Sequence, residues 1–192
     1  MTVENESGQE IMKRTLVCKN RVLDVFMDEI HFDDKSSIKD YIVVSPRHSA
    51  ANLVTGTAVL PIYKGAIGLL KIHRHAVSAS SWEIPRGFID DRESAVVSAM
   101  RELEEETGLT CKEESMRSLG LIAPDAGILA ARIHLFAALE CEISRPFTSN
   151  EPGHRELRFY STNEMYDMAS SSEIQDPSTL VAYYKYKCQS AG

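Results

Sequence analysis

The order of patterns along the chain predicts an α/β or α+β sandwich. Short β-branched and aromatic runs, bounded by turn residues, fill most of its length. A single amphipathic helix with clear end signals interrupts them, and two further helices close the chain. The 192 residues amount to about one domain, enough to bury a core. A hydrophobic fraction of 43% and a charged fraction of 26% exclude a low-complexity, collagen-like or unstructured chain.

Residues 1–10 form a polar tail. From Thr15 to Phe32, partial alternation of Leu16, Val17, Val22, Leu23, Val25, Phe26, Ile30 and Phe32 predicts strands and a turn. Asp33-Asp34-Lys35 turns the chain into a strand over Asp40–Val44, ended by Pro46. Two apolar runs, Asn52–Pro61 and Ala66–His73, are parted by Tyr63-Lys64-Gly65, a hairpin signal. The helix begins at a capping box formed by Asp90 and Glu93. It carries Val96, Met100, Leu103 and Thr107 at helical spacing and ends at Gly108. Strands follow over Leu119–Ile122, Arg132–Glu140 and Leu157–Tyr160. Helices follow over Thr162–Ala169 and Pro177–Cys188, the last starting on a proline after Asp176.

The longest uncharged apolar stretch, Ser49–Tyr63, is shorter than the roughly 20 residues a bilayer requires. The opening MTVENESGQE has no basic region before an apolar core, and a cytoplasmic location is expected. Cys18, Cys111, Cys141 and Cys188 form no C-x-x-C pair, so neither zinc nor a disulfide framework is indicated, and mostly buried free thiols are expected. The net charge of −7 argues against an extended polyanion as partner, so neither nucleic acid nor a membrane is expected. Most of that charge is local. Asp90 to Glu106 carry seven acids against Arg92 and Arg101.

On the helix, Glu102, Glu105 and Glu106 stand at i, i+3 and i+4 and share one face, roughly opposite the apolar stripe. Like charges this close repel, which invites a cation, and hard divalent ions such as Mg²⁺ or Mn²⁺ take carboxylate oxygens. Glu-rich helices are also common as solvated faces, and the glutamates alone do not decide between the two. The wider pattern does. Gly87-x5-Glu93-x7-Arg101-Glu102-Leu103-x-Glu105-Glu106-x-Gly108-Leu109 fills every defined position of the box of the Nudix hydrolases. Its seven fixed positions coincide by chance on the order of once in 10⁸ starts.

The chain therefore resembles a Nudix hydrolase, with the box at residues 87–109. The resemblance implies an α+β Nudix fold, an α/β/α sandwich with a mixed sheet over residues 48–188, preceded by a small antiparallel β region at residues 11–47. It also implies metal-dependent cleavage of the pyrophosphate bond in a nucleoside diphosphate linked to another moiety. By position, Glu102 and Glu106 are the principal metal ligands and Glu105 is a ligand or the group that orients or deprotonates water. Arg101 holds the carboxylates with Glu93 as partner, Gly87 lets the backbone approach the metal, and Gly108 ends the helix. A bound ion neutralises the pyrophosphate and lowers the pKa of a water nucleophile.

The surroundings resemble the ADP-ribose and nucleotide-sugar pyrophosphatases. Arg74 beside His73 matches an aromatic-Arg motif, and Trp82-Glu83-Ile84-Pro85 matches the segment that leads into the box. Arg74, Trp82, Glu83 and Arg86 are the expected substrate-binding residues, and Pro124-Asp125-Ala126-Gly127 corresponds to the substrate loop. Ile72 stands where that subgroup has Gln, Arg86 where it has Ala, and Ala130 and Ala131 where an acidic residue is usual. Arg86 is either a new phosphate contact or a surface charge. Glu151 and Glu156 are candidates for a glutamate that assists the catalytic water, with Glu156 preferred, and His134 is expected in the core. The resemblance implies ADP-ribose or a related nucleotide sugar as substrate, and a homodimer built by the N-terminal strands. A dinucleotide or nucleoside-triphosphate hydrolase and a non-catalytic nucleotide-sugar sensor are the alternatives.

Overall fold

The structure, a computed structural model, describes residues 9–47, 51–149 and 151–190. The first eight residues of the expected polar tail, and the point at residue 48 where the second region was expected to begin, lie outside the described residues. In chain order the strands are β1 (Gln9–Lys19), β2 (Leu23–Phe32), β3 (Ser37–Pro46), β4 (Val54–Tyr63), β5 (Ala66–Arg74), β6 (Ala79–Glu83) and β7 (Arg86–Phe88). Helix α1 (Ala95–Thr107) precedes β8 (Leu109–Thr110), β9 (Met116–Ile122), β10 (Arg132–Ala138), β11 (Glu142–Ile143) and β12 (His154–Tyr160). Helices α2 (Thr162–Ser170) and α3 (Pro177–Ser190) complete the α+β fold.

The main sheet has seven strands. Its path runs β12-β5-β4-β10-β9, with β6 on β5 and β7 on β4. It is mixed, because β10 runs parallel to β4 while the neighbouring pairs are antiparallel. The expected hairpin joins β4 to β5 through Lys64 and Gly65, both at positive φ (49° and 79°). Such a pair matches the right-handed twist of the strands.

Central strands explain the two apolar layers. On β4, Ala58, Leu60 and Ile62 face the side covered by Met165 and Met168 of α2 and Ala182 and Tyr183 of α3. Val59, between them, faces Ala99 and Leu103 of α1. On β10, Leu135 and Ala137 go to the first layer and Phe136 and Ala138 to the second. Successive side chains leave a strand on opposite faces, so a strand covered on both sides reads as a continuous apolar run.

Helix α1 starts later than its sequence suggests. Ser94, not Asp90, is the cap, and its side chain accepts from Val97 N at 3.3 Å. Asp90 and Glu93 form a separate turn ahead of the helix, where Glu93 N donates to Asp90 O and Asp90 N to Glu93 Oε2. Arg92 at φ 72° breaks the helical path between them. The far end is as expected. Gly108 takes φ 71° and its N–H donates to Glu104 O.

The N-terminal strands form their own antiparallel sheet, β1-β2-β3, in which Arg14 grips the buried Asp28 with two bonds of 2.6 and 2.8 Å. It docks on the rest through β3. Val44 N donates to Ile128 O and Val44 O accepts from Ala130 N, each at 2.8 Å, and Tyr41 donates to Gly127 O. Of the cysteines only Cys141 is buried; Cys111 is half-buried and Cys18 and Cys188 are exposed. The expectation of mostly buried thiols therefore fails, because β1 and the end of α3 are exposed. His134 is half-buried against Phe136 and Ser118, at the margin of the core.

Candidate active site

Helix α1 lays Glu102 and Glu106 one turn apart against β7, where both are buried, at 6% and 5% exposure. Gly87 makes this possible. A Cβ at Gly87 would collide with the Glu102 carboxylate, and a Cβ at Gly56 on β4 would lie 2.6 Å from Gly87 O. Glu106 Oε2 accepts from Arg86 N at 3.0 Å, which anchors the carboxylate to β7.

Arg101 carries the surrounding network. It donates to both Glu93 oxygens at 3.2 and 3.1 Å, to Glu102 Oε1 at 2.7 Å, to Glu105 Oε2 at 3.1 Å and to Phe88 O. The bond to Glu93 holds the Arg101 guanidinium well above its ordinary pKa and lowers that of Glu93. This explains the turn at Asp90–Glu93: the chain bends back to deliver Glu93 to Arg101. Such charge-assisted, multidentate bonding fixes carboxylate direction.

Burial pushes Glu102 above its ordinary pKa and Glu106 up to about 8, the latter reinforced by the charges of Glu102 and Glu151. Two buried carboxylates that resist ionisation together are a site that favours a cation. His154 at the start of β12 brings Nε2 to 3.6 Å from Glu106 Oε1 and 3.8 Å from Glu151 Oε2, and burial lowers its pKa. Glu106, Glu151 and His154 offer three ligand atoms within 4.8 Å of one another.

A second charge network backs this wall. Arg74 donates bidentately to the buried Glu83, with Arg74 Nη2 at 2.6 Å from Oε2. Arg86 bonds the same Glu83 at 2.8 Å and Asp176 at 2.5 Å. Asp176 in turn accepts from Thr179 N and Oγ1 at the start of α3, and Thr179 Oγ1 accepts from Ile84 N. Arg86 is thus neither a surface charge nor unpartnered.

These groups open into a cleft of about 630 Å³. Arg74, Arg86, Gly87, Arg101, Glu102, Glu106, Glu151 and His154 line it, with Leu23 and Pro46 of the N-terminal sheet and Leu129 on another side. Cationic side chains and buried carboxylates in one cleft suit a ligand that is an anion carrying a divalent cation.

Other sequence candidates lie elsewhere. Trp82 is 4% exposed, packed edge-on to Tyr160 at 5.3 Å and beneath Lys71 and Arg158, outside the cleft lining. Glu83 holds the two arginines from behind the cleft. Glu156 pairs with Arg158 at 2.9 Å, away from the cleft, because the start of β12 turns Glu151 and His154 inward instead. Glu105 is 54% exposed, and its carboxylate pairs with Arg101. His154 and Asp176 were missed. The spacing Glu151-x-x-His154 and the cap Asp176-Pro177 were the available signals, and both read as ordinary loop chemistry.

The matching family model is the NUDIX domain, over residues 53–180. The chain belongs to the Nudix family of hydrolases, as a Nudix pyrophosphatase. Its likeness extends to an ADP-ribose pyrophosphatase of Bacillus subtilis, 24% identical over 91% of this chain and 90% of that one. A methanol dehydrogenase activator of Bacillus methanolicus is 26% identical over 95% of both chains. A CMP-5'-(N-acetyl-N-hydroxy-3-aminopropyl)phosphonate hydrolase of Streptomyces rubellomurinus is 28% identical over 125 residues, and the match spans 55% of its length. Among solved structures, an ADP compounds hydrolase shares the fold with a TM-score of 0.78 at 15% identity, over 96% of this chain and 95% of that one.

Proposed function

We propose that the protein hydrolyses the pyrophosphate bond of ADP-ribose or a related nucleotide sugar with Mg²⁺ or Mn²⁺. The observation that carries this reading is the pair of buried carboxylates, Glu102 and Glu106, in the same cleft as Arg74 and Arg86. Likeness to an ADP-ribose pyrophosphatase over nearly the whole of both chains supports the substrate class.

Glu102, against Gly87, and Glu106, against the Arg86 N–H, would hold the ion, and Arg101 keeps Glu102 aimed while Glu105 and Glu93 balance its charge. The ion supplies charge neutralisation of the pyrophosphate and a more acidic water. Arg74 and Arg86, both fixed by Glu83, face the phosphates as preorganised hydrogen-bond donors. Glu151, beside the neutral His154, is better placed than Glu156 to accept a proton from the attacking water. Leu23, Pro46 and Leu129 give the non-reacting end of the substrate an apolar wall.

The N-terminal sheet supports a homodimer in the proposed division into residues 11–47 and 48–188. Strand β1 is exposed along its whole length, including Ile11, Met12, Leu16 and Val17, and Ile38 and Ile42 extend the apolar surface. A second copy covers these residues and pairs the open edge. Release of AMP and ribose 5-phosphate from ADP-ribose, dependent on Mg²⁺ and compared across nucleotide sugars, dinucleotides and triphosphates, tests the reading. A melting-temperature shift by every compound with cleavage of none overturns it in favour of a sensor.

A further inference from the structure

Behind the acidic face of α1, the chain leaves the helix through β8 and meets β11 in a short antiparallel ladder. Glu142 pairs with Thr110 and Ile143 with Leu109. Both strands end there, but the same register continued by one step sets Cys141 against Cys111, and the two side chains hydrogen-bond to each other. Ser144 N donates to Gly108 O, which makes the 108–144 step a hydrogen-bonded one, and alternation makes the 111–141 step non-hydrogen-bonded. Cys141 N is engaged elsewhere, with Ile62 O, as such a step requires. Opposed residues at these steps bring their Cα atoms to about 4.5 Å with side chains on the same face, within the span that a disulfide bridges.

The two thiols share the apolar layer beneath α1. Cys141 is 5% exposed and donates to Ala138 O at 3.3 Å, and Cys111, half-buried, packs on the same cluster. They also differ. The contact between them holds the Cys111 thiol below its ordinary pKa and raises that of Cys141, which burial raises further. The more accessible sulfur is therefore the more readily ionised. The segment after Cys141 matters to the site. Arg145 donates to the Glu104 and Glu105 carbonyls, and Ser144 to Gly108 O, so this segment satisfies the carbonyls at the C-terminus of α1.

We propose that Cys111 and Cys141 form an oxidisable dithiol, closed to an intramolecular disulfide by a peroxide, that fastens the strand leaving α1 to the segment capping it. The Cys111 thiolate attacks a peroxide oxygen. An S–O bond forms, the O–O bond breaks, and the departing hydroxide takes the proton released by the thiol. The Cys141 sulfur then attacks the Cys111 sulfur. The S–S bond forms, the S–O bond breaks, and the hydroxide leaves with the Cys141 proton as a second water. Two thiols lose two electrons to one hydrogen peroxide.

The test uses the full chain carrying Cys18→Ser and Cys188→Ser, which removes the two exposed thiols. Titration with hydrogen peroxide followed by alkylation is expected to take the free thiols from two to none, with a mass lower by about 2 Da and a cross-linked 111–141 peptide. Dithiothreitol restores both thiols. The oxidised form melts higher, by on the order of 5 °C, since the bond closes a loop of the unfolded chain. Mapping of the unsubstituted protein gives the same peptide and covers the case in which the double variant folds poorly. Two alkylatable thiols after excess peroxide, or a sulfinic acid at Cys111 with no cross-linked peptide, overturns the proposal.

Discussion

Glu106 is buried beside Glu102 and Glu151, and in the metal-free protein its carboxyl keeps a proton up to about pH 8. The ordinary value is 4.5, so between 4.5 and about 8 the native state binds more protons than the unfolded chain. Stability of the metal-free protein is then highest below that window and falls as pH rises through it, by on the order of a few kcal/mol. Calorimetry from pH 5 to 9 is expected to show this fall, and millimolar Mg²⁺ to reverse it at the alkaline end. The variant Glu106→Gln keeps the acceptor for Arg86 N and removes the charge. It should fold with little change, melt with a flatter pH dependence, and lose metal-dependent hydrolysis by roughly 10³-fold, more than the 10- to 100-fold of an outer-shell change. Unchanged turnover at saturating Mg²⁺ sinks the ligand assignment. Glu102, Glu105, Glu106 and Arg101 were legible because they sit on one helix, where spacing alone sets relative position, and Glu93 and Gly87 because they belong to the same box ahead of it. Trp82 and Glu156 were not, because their side chains leave β6 and β12 on faces that only the packing of the sheet defines.

Helix α1 and its ends set the geometry of the site. Gly108 has φ 71°, and a Cβ there would collide with Arg145 O. Gly108→Ala is expected to cost about 1–2 kcal/mol from the left-handed backbone alone and to lower Tm by roughly 2–8 °C. Gly87→Ala should behave differently. Its Cβ displaces the Glu102 carboxylate, so metal affinity measured by calorimetric titration drops while Tm changes less. An equal fall in both measurements defeats the view that Gly87 serves the site and not the fold. Gly108 marks the end of α1 in the sequence as in the structure, whereas Asp90, where the sequence suggests a start, lies ahead of the cap at Ser94. Asp90 and Glu93 satisfy a capping pattern locally, but Arg101, eight residues beyond Glu93, draws that carboxylate away from the helix start.

At the scale of the molecule, the N-terminal sheet touches the rest through β3 and the loop at residues 125–130 and contributes Leu23 and Pro46 to the cleft. A charge on its uncovered strand tests the proposed dimer. Val17→Lys lies on the exposed β1, at 56% exposure, and should halve the mass measured by light scattering without loss of folded signal. Activity is expected to fall with it, because one wall of the cleft belongs to the sheet that the partner steadies. A variant that stays dimeric, or a parent protein that is already monomeric, removes the dimer from the reading.

The sequence by itself determined the class. An unbroken box of fixed residues needs no long-range contact to be read, and alternation of apolar residues placed the principal strands within a few residues. Tertiary structure alone decided which charges meet. Arg86 could be counted as a surface charge until Asp176, ninety residues away, was brought beside it. His154 could be counted as loop until the start of β12 delivered it to Glu106. Those pairings depend on the docking of α3 and on the strand order of the mixed sheet, which single-chain periodicity does not encode. The charge concentrated at residues 90–106 was visible at the outset. That two of its glutamates are buried, and resist ionisation there, is a property of the packed cleft.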